Sequence, residues 1–159
     1  MARAFWICFA GTAAVVLGAF GFDRCQRVCW VGATDLEIEF MVIETDTGQP
    51  IERADIAVVS EGGFYTEHEE KQLNLETNGD GTADRTCHNS MCFGTQSGLR
   101  FTNTYVVHLP WWYFQVSAPG YQTTDWTYLD SHEYQRQVQR LGPGKAKLVV
   151  PIILEPNAN

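Results

Sequence analysis

The sequence predicts an all-β sandwich of about seven short strands, preceded by an N-terminal hydrophobic export helix. After residue 22, apolar residues alternate with polar ones over short runs that Gly, Pro, Asn and Asp interrupt, which is typical of strands with one buried face. No long run has the spacing of an amphipathic helix. Because half-apolar sheets must bury that face, two sheets are expected to pack together. The predicted domains are a signal peptide or membrane anchor (1–22), a Cys-containing linker (23–35) and the sandwich (36–156).

The N-terminal segment predicts export. Residues 4–22 carry no charge and follow Arg3. They exceed the roughly 7 to 15 residues of a secretory apolar core and barely reach the roughly 20 that span a bilayer. Cleavage after Gly21 and retention as an anchor both stay open. We expect a periplasmic, extracellular or outward-facing anchored protein, with membrane contact only through residues 4–22 if they are uncleaved.

The cysteines fit an oxidising compartment. Cys8 lies in the export segment, so four remain, and an even number on the exported side predicts two disulfides. We favour bridges from the earlier pair to the later pair, with two local bridges as the alternative. A zinc site that adds His88 is a further alternative, although the spacing within each pair is wider than the common Cys-x2-Cys. The four candidates are Cys25, Cys29, Cys87 and Cys92.

The predicted strands lie within seven stretches, in order LEIEFMVIE, ADIAVVS, LNLET, TADRT, TYVVHL, WWYFQVSA and AKLVVPIILEP. Alternation places the following side chains toward the core: Leu36, Ile38, Phe40, Val42, Ala54, Ile56, Val58, Trp112, Phe114, Val116, Ala118, Leu148, Val150, Ile152 and Leu154. Residues 61–72 are expected to form a solvated loop and 87–98 an irregular segment. Residues 119–145, which include the polar stretch 130–145, are expected to form a long connection with at most one short helix.

The stretch Asn78-Gly79-Asp80-Gly81 has two interpretations. A calcium loop would use Glu76, Asn78, Asp80 and Asp84, but its twelfth position, which should be a bidentate acid, is Cys87. A tight turn needs only residues that tolerate positive φ between two strands. We favour the turn of a hairpin and keep calcium as a weak alternative.

Several motifs resemble the carboxypeptidase-regulatory-like and transthyretin-like domains. The stretch VIETDTGQPIERADIAVV is similar to their opening strand, Thr-Gly-x-Pro turn and second strand, LETNGDGTA to their second hairpin, and YFQVSAPGYQTTD to a later strand and turn. LVVPIILEP is similar to their last strand. The resemblance implies a prealbumin-like, Ig-like sandwich that serves as a non-catalytic module.

Enzymes on related folds are not expected from the residues. The purine-pathway hydrolase of this fold ends in a Tyr-Arg-Gly-Ser-like tail, whereas this chain ends LEPNAN. Intradiol dioxygenases on a related fold hold iron with two Tyr and two His, the latter as His-x-His, which this chain lacks. The scattered histidines are His68, His88, His108 and His132. A metal site in which His108 and His132 meet Tyr105 and Tyr128 is a minor alternative.

The aromatic residues at the start of one strand offer a binding face. If Trp112 and Phe114 face the core, Trp111 and Tyr113 face outward. Exposed adjacent rings stack on sugars or anchor a protein, unless the segment with Trp126 and Tyr128 covers them. Both interpretations stay open.

We therefore expect an exported structural, adhesive or weakly ligand-binding module at the cell envelope that is not an enzyme and has no cofactor. Its partner is an unidentified protein or carbohydrate. A net charge of -8 without a basic cluster argues against nucleic acid. The alternative is a small zinc- or calcium-binding protein, or an enzyme, on the same fold.

Overall fold

The computed structural model describes residues 28–61, 72–97 and 103–157. In these residues nine strands form two sheets, and there is one short helix. In chain order the elements are β1 (Val28–Glu44), β2 (Asp55–Ser60), β3 (Gln72–Glu76), β4 (Thr82–Ser97), β5 (Asn103–His108), β6 (Trp112–Ser117), β7 (Thr127–Tyr128), α1 (His132–Gln137), β8 (Gln139–Gly142) and β9 (Lys145–Leu154). One sheet has the order β5-β4-β1-β9-β8 and the other β3-β2-β6-β7. The predicted all-β sandwich is confirmed, with nine strands rather than seven.

The chain divides into two compact units. The smaller comprises residues 1–31 and 94–106, and the larger comprises 32–93 and 107–159. The larger unit contains the core and all side chains discussed below. The predicted export helix lies outside the described residues. Across the described ranges, no helix combines the length and the apolar character needed to cross a bilayer.

The core confirms the predicted alternation. All fifteen side chains expected to face inward are buried in the larger unit. Phe40 of β1 and Phe114 of β6 meet across the two sheets, with ring centroids 5.4 Å apart. In the first sheet β1 pairs in parallel with β9, from Asp35 opposite Lys145 to Glu44 opposite Leu154. This ladder joins the two ends of the larger unit.

Two segments that were predicted to lack strands contain them. Residues 87–98, expected to be irregular, continue β4 as far as Ser97, with Asn89 at a φ of 52° interrupting the regular alternation. The two additional strands, β7 and β8, come from the long polar connection, together with α1. Their side chains lack the apolar alternation of core strands, since β8 is exposed or only half-buried along its length. They pair through backbone hydrogen bonds, which leave no mark on the sequence pattern.

The turn at residues 78–81 links two sheets rather than two strands of one hairpin. β3 belongs to the second sheet and β4 to the first, so the predicted hairpin is wrong. The side-chain oxygen of Asn78 accepts hydrogen bonds from the backbone N–H groups of Asp80 (2.9 Å) and Thr82 (3.1 Å). Gly81 has a φ of 70°, and its carbonyl accepts from the Val42 N–H at 2.8 Å. The turn therefore folds back onto β1.

A buried hydroxyl fixes the chain where it changes sheets. Thr77 is only 2% exposed. Its Oγ1 donates to the Ile51 carbonyl at 2.7 Å and accepts from the Ala54 N–H at 2.8 Å. Its own backbone N–H donates to the Ala54 carbonyl at 3.0 Å, and its carbonyl accepts from the Arg53 N–H at 2.9 Å. These bonds supply the backbone partners that Ile51 and Ala54 lack in the sheets. We call Ile51–Ala54 with Thr77–Gly81 the corner.

A Thr77→Val substitution is expected to destabilise the protein by about 2–4 kcal/mol, because it keeps the shape but leaves a buried carbonyl and N–H without the hydroxyl. Thr77→Ser is the matched control, since it keeps the hydroxyl and loses one methyl group, at about 1 kcal/mol. Urea unfolding measures both. Equal losses in the two variants would contradict the assigned role of the hydroxyl.

Gly81→Ala is expected to lower the free energy of unfolding by about 2–4 kcal/mol, because it adds left-handed backbone strain and overpacks the turn. A Cβ there would lie 2.7 Å from both Pro50 Cβ and the Val42 carbonyl oxygen, and neither atom belongs to a flexible side chain. Gly79→Ala is the control in the same turn, because a Cβ at Gly79 meets nothing within 4 Å. Thermal unfolding of both variants checks this; a Gly81 variant as stable as the Gly79 variant would refute it.

Asp35 gives the fold an acid-sensitive contact. Its carboxylate accepts from the Asn89 N–H at 2.9 Å and lies 3.2 Å from His88 Nδ1, and these bonds, the Asn89 bond first, hold the pKa of Asp35 below its usual range. A depressed folded-state pKa contributes stability that is complete above the unfolded pKa of about 3.9 and lost as pH falls through the folded value.

We therefore expect Asp35→Asn to lose less stability than the wild type between near pH 6 and about pH 3. The amide keeps an acceptor for Asn89 but does not titrate. Urea midpoints at the two pH values measure the difference. Identical acid dependence in the two proteins would show that Asp35 does not contribute to it.

Candidate functional site

The strongest cluster of chemically active side chains lies where β5 ends and α1 begins. His108 is the last residue of β5, and its Nδ1 lies 2.9 Å from Asp130 Oδ2. The Asp130 side chain is only 9% exposed and the His108 side chain 29% exposed. Because a carboxylate can only accept, Nδ1 carries the proton when the His108 imidazole is neutral. We call these two residues the His-Asp pair.

The other Asp130 oxygen is held by two donors. Oδ1 accepts from the Leu109 N–H at 3.0 Å and from Gln135 Nε2 at 2.7 Å. Immediately after Asp130, the Ser131 hydroxyl accepts from the Tyr134 N–H and caps α1, the helix that carries Gln135. The Leu129 N–H donates to the Trp112 carbonyl at 2.8 Å, which ties this segment to β6.

One aromatic ring lies beside the His-Asp pair, and others lie on the neighbouring strands. The Trp111 ring lies 6.0 Å from the His108 ring and is 38% exposed. Tyr113 is half-buried because its ring packs 4.9 Å from that of Tyr128, which lies opposite it in the β6–β7 pair. Trp126 is 48% exposed. Trp111 is thus partly exposed to solvent, and Tyr128 packs against Tyr113.

Two tyrosines near the pair have raised pKa values. Burial raises the pKa of Tyr128 first, and the Asp130 charge adds to it. Burial likewise raises the pKa of Tyr134, whose ring contacts Phe114 at 6.0 Å between centroids. Both phenols therefore keep their protons at neutral pH and serve as hydrogen-bond donors rather than phenolates.

A separate groove lies on the second sheet. It has a volume of about 280 Å³ and is lined by Asp55, Ile56, Ala57, Asn74, Gln115 and Ser117. Ala57 lies between Asn74 and Gln115 in register, so a small side chain forms the floor between two carboxamides. Gln115 follows Tyr113 on the same face of β6, about 6–7 Å along the strand.

The predicted site residues are brought together only in part. His108 comes close to Asp130, which sequence reasoning missed, rather than to a second histidine. His132 begins α1 and is exposed. His68 and the side chain of Tyr105 lie outside the described residues. The only sequence signal for Asp130 is its place before Ser131, a helix N-cap residue.

The predicted calcium and disulfide residues lie elsewhere. The Asn78 side-chain oxygen is engaged in its own turn, and Glu76 and Asp84 lie on strands of different sheets. Within the part of the chain that the structure describes, no three His, Cys, Asp or Glu side chains are grouped to hold a metal ion. Cys87 is half-buried and Cys92 buried on β4. The side chains of Cys25 and Cys29 lie outside the described residues, so the disulfides remain a prediction.

Solved structures similar to this chain are ring-cleavage dioxygenases. The 3-chlorocatechol 1,2-dioxygenase of Rhodococcus opacus shares 10% identity over 83% of this chain and 63% of its own, with a TM-score of 0.53. The hydroxyquinol 1,2-dioxygenase of Pseudomonas putida shares 12% over 80% and 58%, with a TM-score of 0.52. An intradiol ring-cleavage dioxygenase of Tetranychus urticae shares 11% over 81% and 84%, with a TM-score of 0.47.

These comparisons define a fold. The chain spans less than two thirds of the first two enzymes, and at these identities the likeness is one of architecture. No protein-family model matches the sequence, and no curated protein does.

The comparison overturns three expectations. The resemblance to transthyretin-like and carboxypeptidase-regulatory-like domains is wrong, because the similar solved structures with a TM-score above 0.5 are dioxygenases. The motifs that suggested it are turns and strand ends, which any sandwich of this kind can share. The expectations of a non-catalytic envelope module and of a protein that is not an enzyme are contradicted as well, because the similar solved structures are enzymes. The comparison favours the enzyme alternative.

Within the described ranges, the residues do not fit the iron centre described above for intradiol dioxygenases. A His-x-His pair presents two imidazoles on one face of a strand, and the four histidines here are at least twenty residues apart. His108 is paired with Asp130 and His88 with Asp35. Any chemistry at this site therefore has to be derived from the His-Asp pair and the aromatic side chains beside it.

Proposed function

We propose that the chain is an enzyme that binds a phenolic ring beside Trp111 and removes a proton from a ring hydroxyl with His108. The observation that carries this proposal is the His-Asp pair, in which a buried carboxylate fixes one imidazole nitrogen. The two similar dioxygenases with the higher TM-scores are named for 3-chlorocatechol and hydroxyquinol, which are phenolic rings. They support the substrate class.

The chemistry follows from the protonation of the pair. With the proton on Nδ1, the Nε2 lone pair of His108 accepts the hydroxyl proton, and the oxygen keeps the electron pair of the broken O–H bond as phenolate. Asp130 stabilises the resulting imidazolium by charge. General-base catalysis by a positioned side chain contributes about 10²- to 10⁴-fold in rate. The Tyr128 hydroxyl, protonated at neutral pH, is a donor for the phenolate.

The aromatic side chains and the groove give the proposed substrate its shape. The Trp111 and Tyr113 rings offer faces for stacking a planar ring. The groove beyond Gln115 offers carboxamide, carboxylate and hydroxyl groups to a polar substituent. The partner expected from the sequence is a protein or a carbohydrate, and a glycosyl group has the hydroxyls to match these side chains. No contact with nucleic acid is proposed.

Export is also a proposal, which rests on residues 4–22. A periplasmic, extracellular or outward-facing anchored location would give the four remaining cysteines an oxidising compartment. N-terminal sequencing of the mature protein tests whether the segment is removed. A cytoplasmic protein that retains residues 1–22 would contradict it.

The test uses 4-nitrocatechol, whose phenolate absorbs at longer wavelength than its phenol. At about one pH unit below the first pKa of the probe, the bound probe is expected to show the phenolate band with wild-type protein. His108→Gln should reduce the ionised fraction of bound probe about tenfold or more, and Asp130→Asn by less. Absorbance titration of chelator-treated protein measures this, so that a bound metal cannot ionise the probe.

His132→Gln is the control, because this exposed histidine lies only two residues from Asp130 in sequence and outside the pair. It should bind and ionise the probe as the wild type does. Binding of the probe as the neutral phenol by wild-type protein, or an unchanged phenolate band in His108→Gln, would refute the proposal.

A further inference from the structure

We infer that Gln135 is a positioning residue that fixes the protonation geometry of His108 through Asp130. This inference rests on the proposed function for its importance, but its geometry stands independently. Gln135 lies on α1 and His108 at the end of β5, and Asp130 is the side chain that contacts both.

The contacts of the Asp130 carboxylate show what Gln135 contributes. Oδ2 faces His108 Nδ1 at 2.9 Å, and Oδ1 accepts from Gln135 Nε2 at 2.7 Å and from the Leu109 N–H at 3.0 Å. Leu109 adjoins His108 in the chain, so both His108 and Leu109 approach from the end of β5. Gln135 is the donor that approaches from another element and therefore restrains rotation of the carboxylate about its Cβ–Cγ bond.

Burial makes this restraint matter. The Asp130 side chain is 9% exposed, so water has little access to replace a lost donor. If Gln135 no longer donates, the carboxylate is held only from the end of β5 and can rotate about its Cβ–Cγ bond. Either oxygen can then accept from the Leu109 N–H, so Oδ2 is no longer fixed opposite His108 Nδ1. The imidazole loses its fixed acceptor and samples the tautomer with the proton on Nε2, which cannot act as the base.

Gln135 makes a second contact, which a purely structural role at the start of α1 would explain. Its Nε2 also lies 3.4 Å from the Asp130 carbonyl oxygen, next to the first turn of α1. A test must therefore separate damage to the helix from loss of the bond to Oδ1. Ser131→Ala provides this separation, because it removes the hydroxyl that caps α1 and leaves Gln135 in place.

The experiment compares Gln135→Met with two controls, Ser131→Ala and Gln137→Met, in the full chain. Methionine keeps the length and helix propensity of glutamine and removes the donor. The ¹⁵N chemical shifts of the His108 ring, at a pH where the ring is neutral, report the tautomer directly. We expect a single Nδ1–H form in the wild type and both controls, and a mixture in Gln135→Met. The ionised fraction of bound 4-nitrocatechol should fall about two- to tenfold, as for the loss of one hydrogen bond.

The outcomes separate this inference from the proposed function. A single Nδ1–H form in Gln135→Met would overturn the positioning role, even if the probe is ionised by the wild type. The same tautomer mixture in Ser131→Ala would also overturn it, by assigning the effect to the helix. A tautomer mixture confined to Gln135→Met supports the positioning role, even if the wild type fails to ionise the probe, and that failure would count against the proposed function alone.

Discussion

The contact between Phe40 and Phe114 across the two sheets is the constraint on which the architecture depends. Burying these rings requires β1 and β6 to direct alternate side chains toward each other, and all their inward positions are buried. The same alternation forces Tyr113 and Gln115 to the outer face. The aromatic side chains near the His-Asp pair and the polar groove thus lie on one face as a consequence of core packing.

The corner depends on this packing and in turn maintains it. The chain must pass from the second sheet to the first between β3 and β4, where sheet hydrogen bonds end. Buried backbone groups at such a crossing need other partners, and the Thr77 hydroxyl supplies two of them. Gly81 allows the turn to approach β1 more closely than a side chain would permit. A polar residue in the core is therefore required by the topology.

The sequence predicted the strands in which burial of one face imposes an alternation of apolar and polar residues. It did not predict the elements that lack such a face. β1, β6 and β9 were predicted down to their inward side chains because each has one buried face. β7, β8 and α1 pair or cap through backbone and polar groups, so no apolar pattern marks them. His108 was recognised as a candidate, but its partner Asp130 lies in that unpatterned connection. Twenty-two residues separate the two, and only the β6–β7 pairing and the capped start of α1 bring them together.

The expectation that the protein is not an enzyme relied on the missing His-x-His pair. That pair is informative about iron ligands but not about the fold. A missing His-x-His pair excludes one way of holding iron, but it says nothing about the sandwich that surrounds the site. Here Trp111, just before β6, lies beside His108, and Tyr113 follows on β6; both offer ring faces instead of metal ligands. A single histidine is sufficient for proton transfer if its tautomer is fixed, and a buried carboxylate with two further donors fixes it. The fold therefore brings together His108, the buried Asp130 and Gln135 of the helix, and the proposed proton transfer depends on this arrangement.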